Sequence, residues 1–268
     1  MSIFYSELCL IGGDVEENVE RLANHGAENI ELMLDGEGWN DFHLRSGELA
    51  RRLRGRGVGY SVHVPVWDAN LTSECARLRA AVLQSYRDSI AFAAAVDARH
   101  VVLHTGTCAD RHFSKALARE RAGEAMRELL RFNEDYGRLL LVENIGGPAR
   151  SLFTQDEFIR FLDGFPDEIG YVVDIGHAHI NGWNFDTLFP ALGKRLRALH
   201  IHDNDGSGDA HLPIGTGTID WRKTLSAASA AADGLALVLE YNIGTDLELL
   251  AEGKAFLEAA VPQERDPA

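Results

Sequence analysis

The sequence predicts an α/β protein, a single-domain (β/α)8 TIM barrel. Short apolar segments rich in Val, Leu and Ile alternate with longer stretches of helical periodicity, the pattern of a parallel sheet covered by helices. Eight such strand-helix units fit within 268 residues, and units of roughly 33 residues match a barrel whose usual size is about 250 residues. Six successive segments each stop at a residue with metal-ligand chemistry, and barrel enzymes carry their chemistry at the carboxyl ends of the strands.

In chain order, Ile3–Leu10 reads as the first strand, followed by a helix near Asp14–Ala27. Asn29–Met33 is the second, with a helix near Phe42–Gly57. Gly59–His63 (GYSVH) ends on His63, and Ser73–Val96 is helical. His100–His104 (HVVLH) ends on His104 ahead of the helix Arg111–Tyr136. Leu139–Glu143 (LLLVE) ends on Glu143 ahead of Thr154–Phe165. Gly170–Asp174 (GYVVD) ends on Asp174, and Leu196–His202 (LRALHIH) ends on His202 before the helix Trp221–Ala232. Ala236–Glu240 (ALVLE) ends on Glu240.

A hydrophobic content of 46% allows one large core, and no Pro-, Ser- or Gly-rich linker divides residues 1–268. The segment Val261–Ala268 reads as a frayed tail. The N-terminus lacks a basic region followed by an apolar stretch, and no run approaches the roughly 18 apolar residues of a membrane span, so a cytoplasmic address and no membrane partner are expected. Cys9, Cys75 and Cys108 are too few and too scattered for a disulfide framework or a thiolate zinc site. A net charge of -15 disfavours loose binding to nucleic acid, which depends on Lys and Arg displacing counterions from phosphates.

Two short motifs extend the ligand set: Asp174-Ile-Gly-His177 and Asp209-Ala-His211. In extended chain, residues two apart face one side, so Asp209 and His211 can reach one ion, and His200 and His202 share a face. His202 is nearer the barrel mouth, and His200 reads as an interior histidine or one that supports a ligand, with a direct ligand as the alternative. A single histidine at a strand end is ordinarily a capped core residue, and a single Glu a surface charge. Six consecutive cases differ, because buried carboxylates crowded at one mouth need cations to offset their repulsion. The carboxylate-imidazole mix suits Zn, Mn, Fe or Co.

Other matches fail on their details. Asp203–Gly206 (DNDG) is not an EF-hand, since its Gly comes too early and the twelfth position is Ile214. Gly215-Thr-Gly217 lacks the third glycine of a dinucleotide fingerprint and reads as a tight loop before a helix. Asn144-Ile-Gly-Gly147 reads as a turn, with a backbone phosphate cradle as the alternative. Trp39, Trp67 and Trp183 fall in loops after the second, third and sixth strands, where they read as walls for a sugar ring or wedges for a nucleic acid, with plain loop packing as the alternative.

The stretches Val142-Glu-Asn144, Asp174-Ile-Gly-His-Ala178, His200-Ile-His-Asp203, Asp209-Ala-His-Leu-Pro-Ile-Gly215 with Ile219-Asp-Trp221, and Leu239-Glu240 resemble the signatures of xylose isomerase-like TIM barrels. That superfamily includes sugar isomerases, sugar epimerases and zinc-dependent endonuclease IV enzymes, and the likeness covers nearly the whole chain. For the isomerase and epimerase branch, the resemblance implies one divalent ion held by Glu143, Asp174, His202 and Glu240, with His177 orienting substrate. For the endonuclease IV branch it implies up to three zinc ions on those four residues plus His63, His104, His177, Asp209 and His211.

Two mechanisms follow. In an isomerase or epimerase of a sugar or sugar phosphate, Glu143 and Glu240 are the acid-base pair and the ion polarises a carbonyl and adjacent hydroxyl. In a trinuclear zinc phosphoesterase, Glu143 bridges two ions that generate hydroxide, and the substrate is an abasic site in DNA or a small phosphoester. The first is preferred, because the loops are small-molecule sized and Asn144–Arg150 carries no obvious basic wedge for a kinked duplex. It lacks one familiar feature, an Arg soon after His202. A non-catalytic sugar-sensing barrel is the third class, disfavoured by retention of both acid-base carboxylates. Substrate, native metal and assembly into a homo-oligomer stay open.

Overall fold

A computed structural model describes residues 1–260; the expectation for Val261–Ala268 lies outside the described residues. Eight parallel strands close into a barrel in sequential order, with the first paired to the last. They are β1 (Ser2–Ser6), β2 (Asn29–Met33), β3 (Gly59–His63), β4 (His100–His104), β5 (Leu139–Glu143), β6 (Ile169–Asp174), β7 (Leu196–Ile201) and β8 (Ala236–Leu239). The helices are α1 (Val15–Asn24), α2 (Ser46–Arg54), α3 (Ala76–Ala95), α4 (Lys115–Asn133), α5 (Gln155–Phe161), α6 (Ile175–Ile180), α7 (Phe185–Leu192), α8 (Trp221–Ala231) and α9 (Leu247–Ala260). Among the described residues, no helix is long and apolar enough to cross a membrane.

Boundaries move where side chains cap the backbone. The first strand stops at Ser6, whose hydroxyl accepts from the Leu8 amide and starts a 3-10 turn over Glu7–Leu10. The helix expected from Thr154 begins at Gln155, because Thr154 and Glu157 form a reciprocal capping box. Ser114 caps α4 one way, its hydroxyl accepting from the Leu117 amide.

Strand alternation builds two apolar layers. One packs between the sheet and the helices. The other, inside the barrel, comprises Phe4, Val102, Leu141, Val172, Ala198, Ala236 and Val238. Two residues further along the same inward faces stand His104, Glu143, Asp174, His200 and Glu240. The apolar layer is therefore the floor under a polar one. Register fixes neighbours within that upper layer: His104 pairs with Glu143 across β4 and β5, and Asp174 with His200 across β6 and β7.

Candidate metal and substrate site

A cavity of about 490 Å³ opens at the carboxyl end of the barrel. His63, His104, Glu143, His177, Asp209, His211 and Glu240 all line it. Asp174, His200 and His202 lie beneath, fully buried. Each residue type at a strand end in the sequence thus reaches one region, though not in the expected grouping.

The first group is His63, His104 and Glu143, whose ligand atoms lie within 4.8 Å of one another. Glu143 Oε2 accepts from His63 Nε2 at 3.1 Å and His104 Nε2 at 2.9 Å. Burial would push the Glu143 carboxyl up, but the charge of His200 and contacts with His104 hold it well below the usual carboxylate range. Burial also opposes the charged form of His63, yet the hydrogen bond and charge of Glu143 prevail and raise its pKa to about 9. At His104 burial prevails and the pKa is lowered.

The second group is Glu143, Asp174, His200 and Glu240. The sequence expectation put His202 with these three acids; here a ring nitrogen of His200 lies within 4.8 Å of ligand oxygens of all three, while His202 reaches Asp174. Both histidines point inward, but His200 is the strand partner of Asp174 and sits at the depth of the carboxylates, whereas His202 lies past the end of β7. His200 Nδ1 stands 3.3 Å from both Glu143 Oε1 and Glu240 Oε2, yet makes no aligned hydrogen bond to either. A buried nitrogen aimed between two carboxylates, bonded to neither, fits a shared cation.

The third group is His177, His202, Asp209 and His211. Asp174, at the start of α6, accepts from the His177 amide at 2.6 Å, so the cap that begins the helix also fixes His177. His177 Nδ1 then meets the Asn144 carbonyl oxygen at 2.9 Å and Nε2 meets Asp209 at 3.0 Å. His202 contacts Asp174 at 3.0 Å and stacks on His211, with ring centroids 3.7 Å apart. Burial lowers and Asp209 raises the His211 pKa, which settles at about 9. Burial would raise Asp209, but His177 and His211 hold it far down. His211 adopts φ 45, a strained backbone for a non-glycine that concentrates at functional sites.

The surrounding motifs shape these groups. Asp203 accepts from Trp221 Nε1 at 2.8 Å and the Gly215 amide at 2.9 Å, tying the long loop after β7 to α8. A Cβ at Gly217 would lie 2.2 Å from Asp203 Oδ1, so this loop requires glycine there. Asn144-Ile-Gly-Gly147 is a turn packed on the site: a Cβ at Gly146 would meet the His177 ring at 2.5 Å. Among the expected ligands, His63, His104, His177, Asp209 and His211 join the first and third groups.

Of the three tryptophans expected to wall a substrate, Trp67 lines the cavity and is exposed. Trp39 does not. It is buried against Phe42 and Phe92, with Nε1 donating to Glu7 at 2.9 Å. Glu7 also accepts from Asn18 and the Met33 amide, so it holds the first two strand ends together, and burial raises its pKa to about 7. Trp183 packs on Phe158 and lines a separate pocket beside α5. A loop position identifies the barrel end, but packing with helices decides whether a large apolar ring stays at the mouth.

Two residues outside the expected set belong to the site. Arg150, in the loop after β5, is the one Lys or Arg among the residues lining the cavity. Its position at the end of a Gly-Gly-Pro-Ala turn was the available sequence signal. Glu31, on β2, is wholly buried below the cavity. Burial would raise its pKa, but the charge of His200 and contacts with His100 hold it low.

Residues 19–260 match the family described as xylose isomerase-like TIM barrel. An uncharacterized protein of Methanocaldococcus jannaschii is 33% identical over 212 residues, covering 77% of this chain and 76% of its own. A solved D-tagatose 3-epimerase-like protein is 23% identical with a TM-score of 0.83, covering 97% of both chains. A Thermus thermophilus protein, solved after soaking with zinc chloride, is 25% identical with a TM-score of 0.74 and covers 97% of this chain and 98% of its own. By that match, spanning nearly the whole barrel, the chain belongs to the xylose isomerase-like TIM barrel family.

Proposed function

We propose that the protein is a divalent-metal-dependent isomerase or epimerase of a sugar or sugar phosphate. One observation carries the reading: Glu143 and Glu240, from strands three apart in the barrel, line a cavity of about 490 Å³ and converge there with Asp174 and His200 beneath it. That volume suits a small polar ligand. The epimerase-like name of one solved relative supports the same class, and the zinc soak of another supports the metal.

Glu143, Asp174, His200 and Glu240 would hold the ion, which when bound supplies Lewis-acid polarisation of a carbonyl and neighbouring hydroxyl. Zn, Mn, Co and Fe all suit these donors. Glu143, held ionised chiefly by His200 and then His104 and hydrogen-bonded to His63 and His104, is suited to take a proton from the carbon beside the carbonyl. Glu240 is the partner that returns it from the other side. His177 is held at Nδ1 by the Asn144 carbonyl, and its Nε2, which faces Asp209 at the cavity wall, is the atom that would turn to a substrate hydroxyl. Trp67 at the rim excludes water from one wall.

The test is hydrogen exchange. Ketoses, their phosphates and inososes incubated with metal-loaded enzyme in deuterated water should take up deuterium at the carbon beside the carbonyl, and chelator should stop it. Absence of exchange across that panel overturns the reading.

A second reading has its own support: the two Glu143 oxygens divide between the first and second groups, as a bridging carboxylate requires, and His177, Asp209 and His211 form a third set. A trinuclear zinc phosphoesterase would use them. Metal analysis separates the two readings, with near one tight ion per chain expected for proton transfer and near three for phosphoester cleavage.

Arg150 bears on whether the substrate carries an anion. Its backbone is pinned, with its amide donating to the Gly147 carbonyl and its carbonyl accepting from the Cys108 amide. A charge-assisted contact is worth about 1.5–3 kcal/mol, so Arg150→Met should raise KM about 10- to 100-fold for a phosphorylated substrate. A neutral sugar should be nearly unaffected. Equal effects on both would assign Arg150 no role in anion recognition.

A further inference from the structure

Glu31 is a fully buried carboxylate with no task in the mechanism above. It lies on β2, under the cavity rather than in its wall. Oε1 stands 3.1 Å from His200 Nε2, while Oε2 accepts from Ser61 Oγ at 2.9 Å and lies 3.5 Å from His100 Nε2. The other ring nitrogen of His200 faces Glu143 and Glu240 at 3.3 Å. The His200 imidazole thus stands between Glu31 and the carboxylates of Glu143 and Glu240.

Glu31 sits in a small polar packet of Ser61, His100 and His200 beside the apolar barrel floor of Val102, Leu141 and Val172. A buried carboxylate is costly unless a partner compensates it. We infer that Glu31 is the positioning residue of His200, keeping the ring proton on Nε2 so that Nδ1 presents its lone pair to a divalent cation. The inference rests on reading His200 as an ion ligand.

The chemistry follows from imidazole having two distinct nitrogens. The one that keeps a proton cannot coordinate, so a hydrogen-bond acceptor at Nε2 selects Nδ1 as the ligand and makes it more basic. Glu31 cannot swing away freely, because Ser61 and His100 flank its second oxygen. The Glu31-His200 contact is at bonding distance but not aligned. Alignment depends on the ring angle, which a cation held at Nδ1 would set.

The experiment is zinc affinity, measured by chelator competition on wild type, Glu31→Gln, Glu31→Ala and Ser61→Ala, with cobalt absorption spectra of each. Removing such a supporting acid weakens metal binding about 10- to 100-fold. Glu31→Ala should show that loss and an altered cobalt spectrum. The near-isosteric Glu31→Gln, which preserves packing and a neutral acceptor, should recover part of the affinity. Ser61→Ala, which disturbs the same buried packet but leaves the carboxylate beside His200, should bind zinc like wild type. Equal affinity in wild type and both Glu31 variants overturns this inference alone, as does an equal loss in Ser61→Ala. Failure of wild type to bind any divalent ion overturns the metal reading and this inference with it.

Discussion

Glu143→Gln should lower kcat about 100- to 10,000-fold, the range for removing a positioned acid or base. The change is nearly isosteric, so the barrel should fold. Three features make the effect large. The amide cannot take a proton from carbon, it offers one acceptor oxygen where the carboxylate offers two, and its NH2 competes with the donors His63 Nε2 and His104 Nε2. Steady-state rates beside a thermal melt separate lost chemistry from lost structure. Activity within about threefold of wild type would contradict both the isomerase and the phosphoesterase schemes.

The acid dependence has a definite sign. The folded-state pKa of Glu143 is depressed, so its contribution to stability is present above the unfolded carboxylate value. It is lost as pH falls through the folded value. His63, raised to about 9, behaves in the opposite way: its contribution is present below the unfolded histidine value and disappears as pH rises through about 9. The metal-free site should therefore be most strongly paired between these limits.

The second large effect distinguishes two histidines. His200→Ala should abolish the tight ion and destabilise the metal-free fold by about 3–5 kcal/mol, the cost of leaving buried charges without their partner. Glu31, Glu143 and Glu240 all lose a neighbour at 3.3 Å or less. His202→Ala should retain the tight ion, because that ring serves the group with His177, Asp209 and His211. Calorimetric titration with zinc and a melt of each metal-free variant make the comparison. Loss of the tight ion in His202→Ala, with retention in His200→Ala, would return the site to the grouping expected from sequence.

Most of the barrel was legible because a parallel strand buried on both faces is a run of Val, Leu and Ile, and such runs stand out between helical stretches. The first strand was overextended because Glu7–Leu10 continues the apolar pattern while Ser6 turns the backbone. Trp39 and Trp183 were assigned to the mouth from loop position, but the acceptor on Glu7 and the ring of Phe158 lie far away in sequence. Arg150 ends the segment Asn144–Arg150, and nothing local in that segment shows that it lines the cavity.

The sequence by itself determined the closed α/β architecture, the end of the barrel that bears the acids and imidazoles, and the chemical type of nearly every side chain gathered there. Those are consequences of local order: alternation by two decides which residues face inward, and a strand's last residues decide which end they reach. Only the tertiary structure brought His200 within reach of Glu143, Asp174 and Glu240 together, left His202 in contact with Asp174 on the side of Asp209 and His211, and stood Glu31 behind His200. Alternation sends both histidines to the same face, so depth along the barrel axis is what separates them. Depth is set by register between strands, Asp174 opposite His200 across β6 and β7, and no stretch of single chain records that pairing.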